Sequence, residues 1–395
     1  MRIAFVSHCR RKIGGAEVYL DSILPAFPRA GHSSAWLVET DLPVPHSPIS
    51  GSGAESVWCA SEVGITNALR LVSKWKPNII FTHGLSDPDF EAAVIGIAPA
   101  VLYVHNYYGT CISGDKLHST AVPKLCNRRF GPACLLHYFP QHCGGSNPFT
   151  MWSQYRLQSR RLDLMHRYRA LITNSQHMVR ELARHGLKAE CVYPFAAPAA
   201  ETQVSPPSFG SDPLRLIFAG RMSSLKAGEY LLHAAPLVQR KLNRKLHVTF
   251  AGDGPERAEW ERRAAQLASV DLRFEFPGWL SSSELRSSIA LSHLHVLPSI
   301  WPEPFGLSGL EAGLLGVPTV AFAVGGIPEW LHDGINGHLA PLPSSAEGLS
   351  AAIAKAFADP DHYDQLRAGA CREAQRYPLA DHIAQLTAIF ESCVA

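Results

Sequence analysis

The sequence has no strong charge of either sign. Thirty-six lysines and arginines stand against 34 aspartates and glutamates, a formal net charge of +2. That leaves no overall electrostatic case for nucleic acid as the main partner, so any basic patch must be local. Charged residues make up only 18% of the 395, while 46% are hydrophobic. This excludes bulk disorder and provides for a large core. Long apolar runs are also missing. The longest weakly charged stretch, Gly306 to Ile327, is broken by Gly313, Gly316, Pro318, Gly325 and Gly326 and carries Glu311. It reads as a helix, a turn and a buried strand, not as a membrane span. The opening residues hold too short an apolar run for a signal peptide and read as a first buried strand. No internal repeat is visible. After that first strand stands Gly14-Gly15-Ala16-Glu17, not G-x-G-x-x-G, which argues against NAD or FAD bound in the usual way.

Cysteine is present but not in the spacing of a strong metal site. The count of nine is odd, and Cys9, Cys59, Cys191, Cys371 and Cys393 are far apart, as expected of reduced thiols in a cytosolic protein. Cys111, Cys126, Cys134 and Cys143 share one segment, Asn106 to Asn147, at intervals far wider than two residues. They read first as buried free thiols, with a disulfide or a structural zinc as alternatives. Asp87-Pro88-Asp89 and Asp359-Pro360-Asp361 match the short D-x-D pattern of metal-dependent transferases. Each has proline after the first aspartate and a helical pattern beyond it, which is N-cap chemistry, and neither is assigned a metal.

What the chain does have is alternation. Short apolar runs suited to buried parallel strands recur between helix-length segments: Ile3–Ser7, Ala35–Val38, Ile79–Thr82, Val101–Val104 and Ala170–Thr173 in the first half. Leu214–Ala219, His247–Ala251, Leu272–Phe276, Leu294–Leu297 and Thr319–Ala323 follow in the second. The pattern predicts an α/β protein of two Rossmann-like, doubly wound domains facing across a cleft. The expected boundaries are 1–195 for the first domain, 196–213 for an Ala/Pro/Ser-rich linker, 214–375 for the second, and 376–395 for a helix packing back toward the first. Ligands of such sheets sit beyond the carboxyl ends of the strands, so the residues just after each strand are the candidates.

The densest signal is Pro298-Ser-Ile-Trp-Pro-Glu303-Pro-Phe305-Gly306-Leu307-Ser308-Gly-Leu-Glu311. It follows a strand and opens a helix, whose first N–H groups at Gly306, Leu307 and Ser308 suit a diphosphate. Gly220-Arg221 with Lys226, after the first strand of the second half, offers a forked cation and a point charge for the same group. Gly278, in Pro277-Gly278-Trp279, closes another strand where backbone can meet a base ring. In the first half Gly15 permits close approach of a sugar or phosphate, and His83 and His105 each follow a buried strand. His105, in Tyr103-Val-His105-Asn-Tyr-Tyr108, has the aromatic company of a sugar pocket.

Together these motifs resemble the retaining glycosyltransferases of family four, the GT-B group that includes the glycogen-synthase-like enzymes. The resemblance covers Phe218 to Leu339: Gly220-Arg221 with Lys226, Gly252-Asp-Gly-Pro255, Glu303-x7-Glu311 with Phe305-Gly306, and Gly316-Val-Pro-Thr through Gly325-Gly-Ile-Pro-Glu329. It implies that Arg221 and Lys226 bind the donor diphosphate, Glu303 contacts the transferred sugar, Glu311 the ribose, and Gly278 lies near the base. It also implies Gly306 to Ser308 as backbone donors, Gly15 in the glycine loop, His105 as the cleft histidine, and no obligatory metal. The expected activity is retaining, metal-independent hexosyl transfer without a cofactor. The donor would be a UDP- or GDP-linked sugar and the acceptor a glycan, a lipid-linked glycan or a small molecule. The family has Lys followed directly by Gly; here Ala227 stands between Lys226 and Gly228. Two alternatives stay open: a nucleotide-sugar epimerase on the same fold, and a non-catalytic nucleotide-sugar-binding subunit. Arg156, Arg160, Arg161, Arg167 and Arg169 fall on an expected helix opposed only by Asp163. They read as a solvated face, or as peripheral contact with anionic lipid at the inner face of a membrane.

Overall fold

The computed structural model describes residues 1–42, 47–120, 123–196 and 207–395. The chain divides into two compact units. One comprises Met1–Tyr193 with Ala380–Ala395, the other Pro194–Leu379. Residues 197–206 of the expected linker lie outside the described residues.

The strands of the first unit are β1 (Arg2–Cys9), β2 (Ser33–Thr40), β3 (Ser56–Cys59), β4 (Ile79–Thr82), β5 (Ala100–Val104), β6 (Leu117–His118), β7 (Lys124–Leu125), β8 (Ala170–Thr173) and β9 (Glu190–Cys191). Seven form one sheet in the order β3-β2-β1-β4-β5-β8-β9, with every neighbouring pair parallel. β6 and β7 form a separate antiparallel pair. β4 and β5 are buried along their whole length, as expected of strands covered by helices on both faces. The helix Leu379–Val394 belongs to this core: the Phe390 ring stacks on Phe27 at 5.8 Å and meets Phe81 at 4.9 Å.

The second unit has β10 (Leu214–Ala219), β11 (Leu246–Ala251), β12 (Leu272–Gly278), β13 (Leu294–Leu297), β14 (Thr319–Phe322) and β15 (Gly337–Ala340). The order β12-β11-β10-β13-β14-β15 is again all parallel. Both sheets therefore run third, second, first, fourth, fifth, sixth in chain order, and the first unit's sheet adds a seventh strand, β9, at its edge. Successive connections leave to opposite sides at one place, between β1 and β4 and between β10 and β13. That switch point opens a crevice beyond the strand ends where the loops cannot cover each other. Of the strands in the two main sheets, the sequence alternation does not mark β3, β9 and β15, which are edge strands of four, two and four residues and carry no distinct apolar run.

Candidate functional site

In the second unit the switch point is framed by the loop after β10, Gly220 to Gly228, and the loop after β13, Pro298 to Gly306. Backbone bonds fix one to the other. The Leu225 carbonyl accepts from the N–H groups of Ile300 at 3.1 Å and Trp301 at 3.2 Å, and from the Ser299 hydroxyl at 3.2 Å. This brings Lys226 onto Glu303 across 77 residues of sequence, Nζ to Oε1 at 2.6 Å. The Glu303 side chain is 5% exposed and that of Lys226 28%; the ammonium also lies 5.3 Å from the centre of the Trp301 ring. A carboxylate so enclosed requires its partner, because unpaired it would lose hydration without compensation.

The glycines of Val324-Gly-Gly-Ile-Pro-Glu329, read from the sequence as loop chemistry, hold the Glu303 loop from its other side. Gly326 N–H donates to the Glu303 carbonyl at 2.7 Å. Gly325 has φ +62°, and a Cβ there would stand 2.1 Å from the same carbonyl oxygen. Only glycine fits. Ala227 is fully buried and left-handed at φ 49°, so alanine takes the conformation glycine would favour, at a cost of about 1 kcal/mol. Arg221 is exposed at the mouth of the loop and makes no ion pair among the described residues.

The helix Ser308–Leu314 starts from Leu307, with no side-chain cap. Its first amides lack intrahelical acceptors and carry partial positive charge. Gly306 precedes it at φ +86°, packed between Leu297 and Ile327. Phe305 faces inward: it is 2% exposed, lies edge-on to Tyr377, and its carbonyl accepts from Trp330 Nε1 at 2.7 Å. It anchors the loop. Glu311, half-buried on the helix, is pushed up to about 7 by burial, which the charge of Arg286 only partly offsets. Gly278 ends β12 at φ +81°, directly under Arg257. That guanidinium donates to the Phe276 carbonyl at 3.1 Å and pairs with Asp253 at 3.2 Å and Glu261 at 2.7 Å. Sequence reasoning missed Arg257, because i, i+4 charges on a polar helix look like ordinary surface pairing.

The first unit carries a different chemistry at and beside its own switch point, after β1, β4 and β5. Gly14 caps the helix Gly15–Ile23 with no side-chain bond, and Gly15 is exposed. His83 follows β4 and His105 follows β5, and His83 Nδ1 lies 2.9 Å from His105 Nε2. The Tyr19 hydroxyl bonds His382 Nε2 at 2.7 Å, and His382 Nδ1 donates to the Tyr193 carbonyl at 2.7 Å. Tyr19 lies against His83 at 5.6 Å and His105 at 5.3 Å. Burial holds these imidazoles neutral: His105 is pushed down to about 3 by burial and then by His382, and His382 to about 4 by burial. At neutral pH they hydrogen-bond without carrying charge. Glu39 was also missed. At the end of β2 it accepts from the Ser86 N–H and hydroxyl, each at 2.7 Å, and the Asp87 N–H at 3.0 Å, with His8 Nδ1 also at 2.7 Å. These contacts lower it to about 2 against the opposing effect of burial. A lone Glu at a strand end gives no sequence signal.

Asp87 and Asp359 are helix N-caps, accepting from the Asp89 N–H and the His362 N–H, each at 2.8 Å, with proline at the first helical position. Cys111, Cys126, Cys134 and Cys143 are free thiols. Burial and the three neighbouring thiols push Cys143 up to about 12. Among the described residues no group of three or more His, Cys, Asp or Glu is placed to hold a metal ion, and no helix is long and apolar enough to cross a membrane. The expected basic helix runs only from Pro148 to Met165, so Arg167 and Arg169 lie beyond it. Arg160 pairs with Asp89, Arg161 donates to the carbonyls of Leu85 and Ser86, and Arg167 to that of Ala92. Three of the five arginines thus turn onto a neighbouring segment, while four of them, Arg156, Arg160, Arg167 and Arg169, stay exposed to solvent.

Two Rossmann-like units, each with its loops at the switch point, define the GT-B class of fold. Residues 13–195 match the family described as Glycosyltransferase Family 4 and residues 200–372 that described as Glycosyl transferases group 1; the chain belongs to these family 4 glycosyltransferases. It is 32% identical over 228 residues to a D-inositol 3-phosphate glycosyltransferase of Streptomyces bingchenggensis, covering 52% of this chain and 49% of that one. To an alpha-maltose-1-phosphate synthase of Mycobacterium tuberculosis it is 34% identical over 201 residues, half of each chain. The chain thus spans about half the length of the curated relatives it matches. HepE of Anabaena, solved with UDP and glucose, shares the fold with a TM-score of 0.72 at 18% identity, covering 99% of this chain and 100% of that one.

Proposed function

We propose that the protein is a retaining glycosyltransferase that moves a hexose from a UDP- or GDP-linked donor to a hydroxyl of a glycan, lipid-linked or small-molecule acceptor. The observation that carries this reading is the Lys226–Glu303 pair at the switch point of the second unit, with Arg221 exposed on the same loop. An ammonium has three donors, so Lys226 can keep Glu303 and still meet a phosphate oxygen. Arg221 forks to the diphosphate, and the amides at Leu307 and Ser308 complete a cradle for its developing negative charge. Glu303, fixed by Gly325 and Gly326, takes the hydroxyls of the transferred sugar, Glu311 those of the ribose, and the Gly278 backbone lies along the base. In the first unit Gly15 and the neutral His105 serve the sugar and its acceptor as hydrogen-bonding surface.

The bond between the anomeric carbon and the leaving phosphate oxygen breaks as the acceptor oxygen attacks from the same face. The acceptor's proton passes to the departing phosphate, which accounts for retention without an enzyme nucleophile. Fixed cations supply the stabilisation of the leaving group in this scheme. Thermal shift against a panel of UDP- and GDP-sugars identifies the donor, because a ligand that binds only the folded chain raises its melting temperature. With that donor, Glu303→Ala should lower turnover about a thousandfold while changing donor affinity less than about threefold. Undiminished turnover would refute the assignment, and a product that keeps its nucleotide would turn the reading toward an epimerase.

A further inference from the structure

The short helix Ala133–His137 and the first turns of the helix Pro148–Met165 share one small core. Ile112, Phe130 and Tyr138 are its centre, with Leu135, Met151, Tyr155 and Leu162 packed on it. The Tyr138 hydroxyl donates to Gln154 Oε1 at 3.0 Å and joins the two helices. Because those positions face inward, the others face out: Leu136 is 78% exposed, Phe139 41%, Phe149 83% and Trp152 52%. A single exposed apolar side chain is ordinary, but this lobe gathers four large ones, three of them aromatic, within seventeen residues of sequence; such a gathering marks an interaction site.

Its charge is equally one-sided. From Lys116 to Leu162 the chain has seven lysines and arginines and no aspartate or glutamate. Lys116 and Arg160 are taken by Glu181 and Asp89, and Arg161 by backbone carbonyls and the face of Tyr108. Lys124, Arg128, Arg129 and Arg156 remain exposed and make no ion pair among the described residues. Phe149, Trp152 and Arg156 recur at three- and four-residue spacing and so share one face of their helix. A nucleic acid would engage the cations but leave Phe149 and Leu136 in water. An interface in which an anionic layer adjoins hydrocarbon satisfies both groups at once.

We propose that this lobe is a docking surface for an anionic lipid bilayer, with Leu136, Phe139, Phe149 and Trp152 entering the boundary between headgroups and acyl chains and Lys124, Arg128, Arg129 and Arg156 meeting the lipid phosphates. The contact lies on the lobe and the first turns of its helix as far as Arg156, not along the stretch from Arg160 to Arg169. It does not depend on the reading of the donor site: vesicle binding and turnover are separate measurements.

The test is co-sedimentation of the full chain with vesicles of phosphatidylcholine alone, or with roughly one-third phosphatidylglycerol. Binding is expected to the anionic vesicles only, weakening with salt and unchanged by inorganic phosphate at matched ionic strength. The double variant Phe149→Ser/Trp152→Ser should lower partitioning about tenfold. Trp152 also stacks on Tyr155 at 6.0 Å, so the melting temperature is read alongside; Phe149→Ser alone, at a side chain 83% exposed, should keep the wild-type melting temperature and still lower partitioning about threefold, so lost binding reports the surface and not the fold. Absence of wild-type binding to anionic vesicles at low salt would overturn the proposal, as would equal binding by the double variant. Competition by inorganic phosphate would replace the bilayer with a discrete anion site. Self-association that disappears in the double variant, without vesicle binding, would assign the lobe to a contact between copies of the chain.

Discussion

The two units repeat one strand order, yet their switch points are opposite in chemistry. Beyond β10 and β13 the second unit places a buried ion pair, Lys226 with Glu303, beside an exposed Arg221. Beyond β1 and β4, and beyond β5 beside them, the first unit with its carboxy-terminal helix places a neutral group: His83 on His105 and Tyr19 on His382. Topology decides where a site forms, and residue type decides what it can bind. Fixed cations suit a diphosphate that gains charge as it departs. Uncharged donors and acceptors on a rigid aromatic floor suit hydroxyls, which would gain little from a net charge.

The sharpest way to break that contrast is to separate the two cations of the second unit. Lys226→Ala strips the enclosed Glu303 carboxylate of its partner. Donor affinity should fall about a hundredfold, and the ligand-free protein should lose about 2 kcal/mol, less than for a fully enclosed pair because Lys226 is partly solvated. Arg221→Ala should also weaken the donor, by about tenfold, but leave stability within about 0.5 kcal/mol, since the exposed guanidinium makes no ion pair among the described residues. Denaturant unfolding and donor titration of both variants check this. Equal stability losses would show that the ion pair is not what distinguishes Lys226.

The alternation of apolar runs with helix-length segments made both sheets legible, since strands such as Ile79–Thr82 and Leu294–Leu297 are covered on both faces. The order of the strands was not, because parallel runs carry no register signal of their own. The charged residues Arg221, Lys226, Glu303 and Glu311 stood out because each lies in a Gly/Pro-punctuated loop or at the helix it opens. That Lys226 would meet Glu303, 77 residues away, was not visible, as the contact depends on Leu225 bonding the loop at Ser299 to Trp301. Neither was the exposed lobe around Phe149 or the place of His382, since nothing local distinguishes an inward from an outward position on a polar helix.

The neutral character of the first unit can be tested by acid. His382, 2% exposed, has its pKa lowered from the ordinary 6.5 to about 4. The unfolded chain therefore binds a proton between those values that the folded chain refuses. The contribution of this residue is present above pH 6.5 and is lost as pH falls toward about 4, amounting to about 3 kcal/mol. His382→Gln removes the titration, so its stability should fall less steeply than the wild type's over that window, whatever its stability at pH 7. Parallel slopes would mean that His382 is not held neutral by its surroundings.

Glu311 allows the finest test, because its two expected effects have opposite signs. Its folded pKa, about 7, lies above the unfolded value, so its contribution is full below about pH 4.5 and declines as pH rises through 7. Glutamine imitates the protonated form. Glu311→Gln should match the wild type near pH 4 and exceed it at pH 8 by about 1 kcal/mol, a figure discounted for partial exposure. If the carboxylate accepts ribose hydroxyls, the same change should weaken donor binding at pH 8 about fivefold. A solvated helix residue would show neither effect, and one that is only strained by burial would show the first alone. Greater stability with poorer donor binding is the signature of a charge kept in an unfavourable place because the ligand uses it.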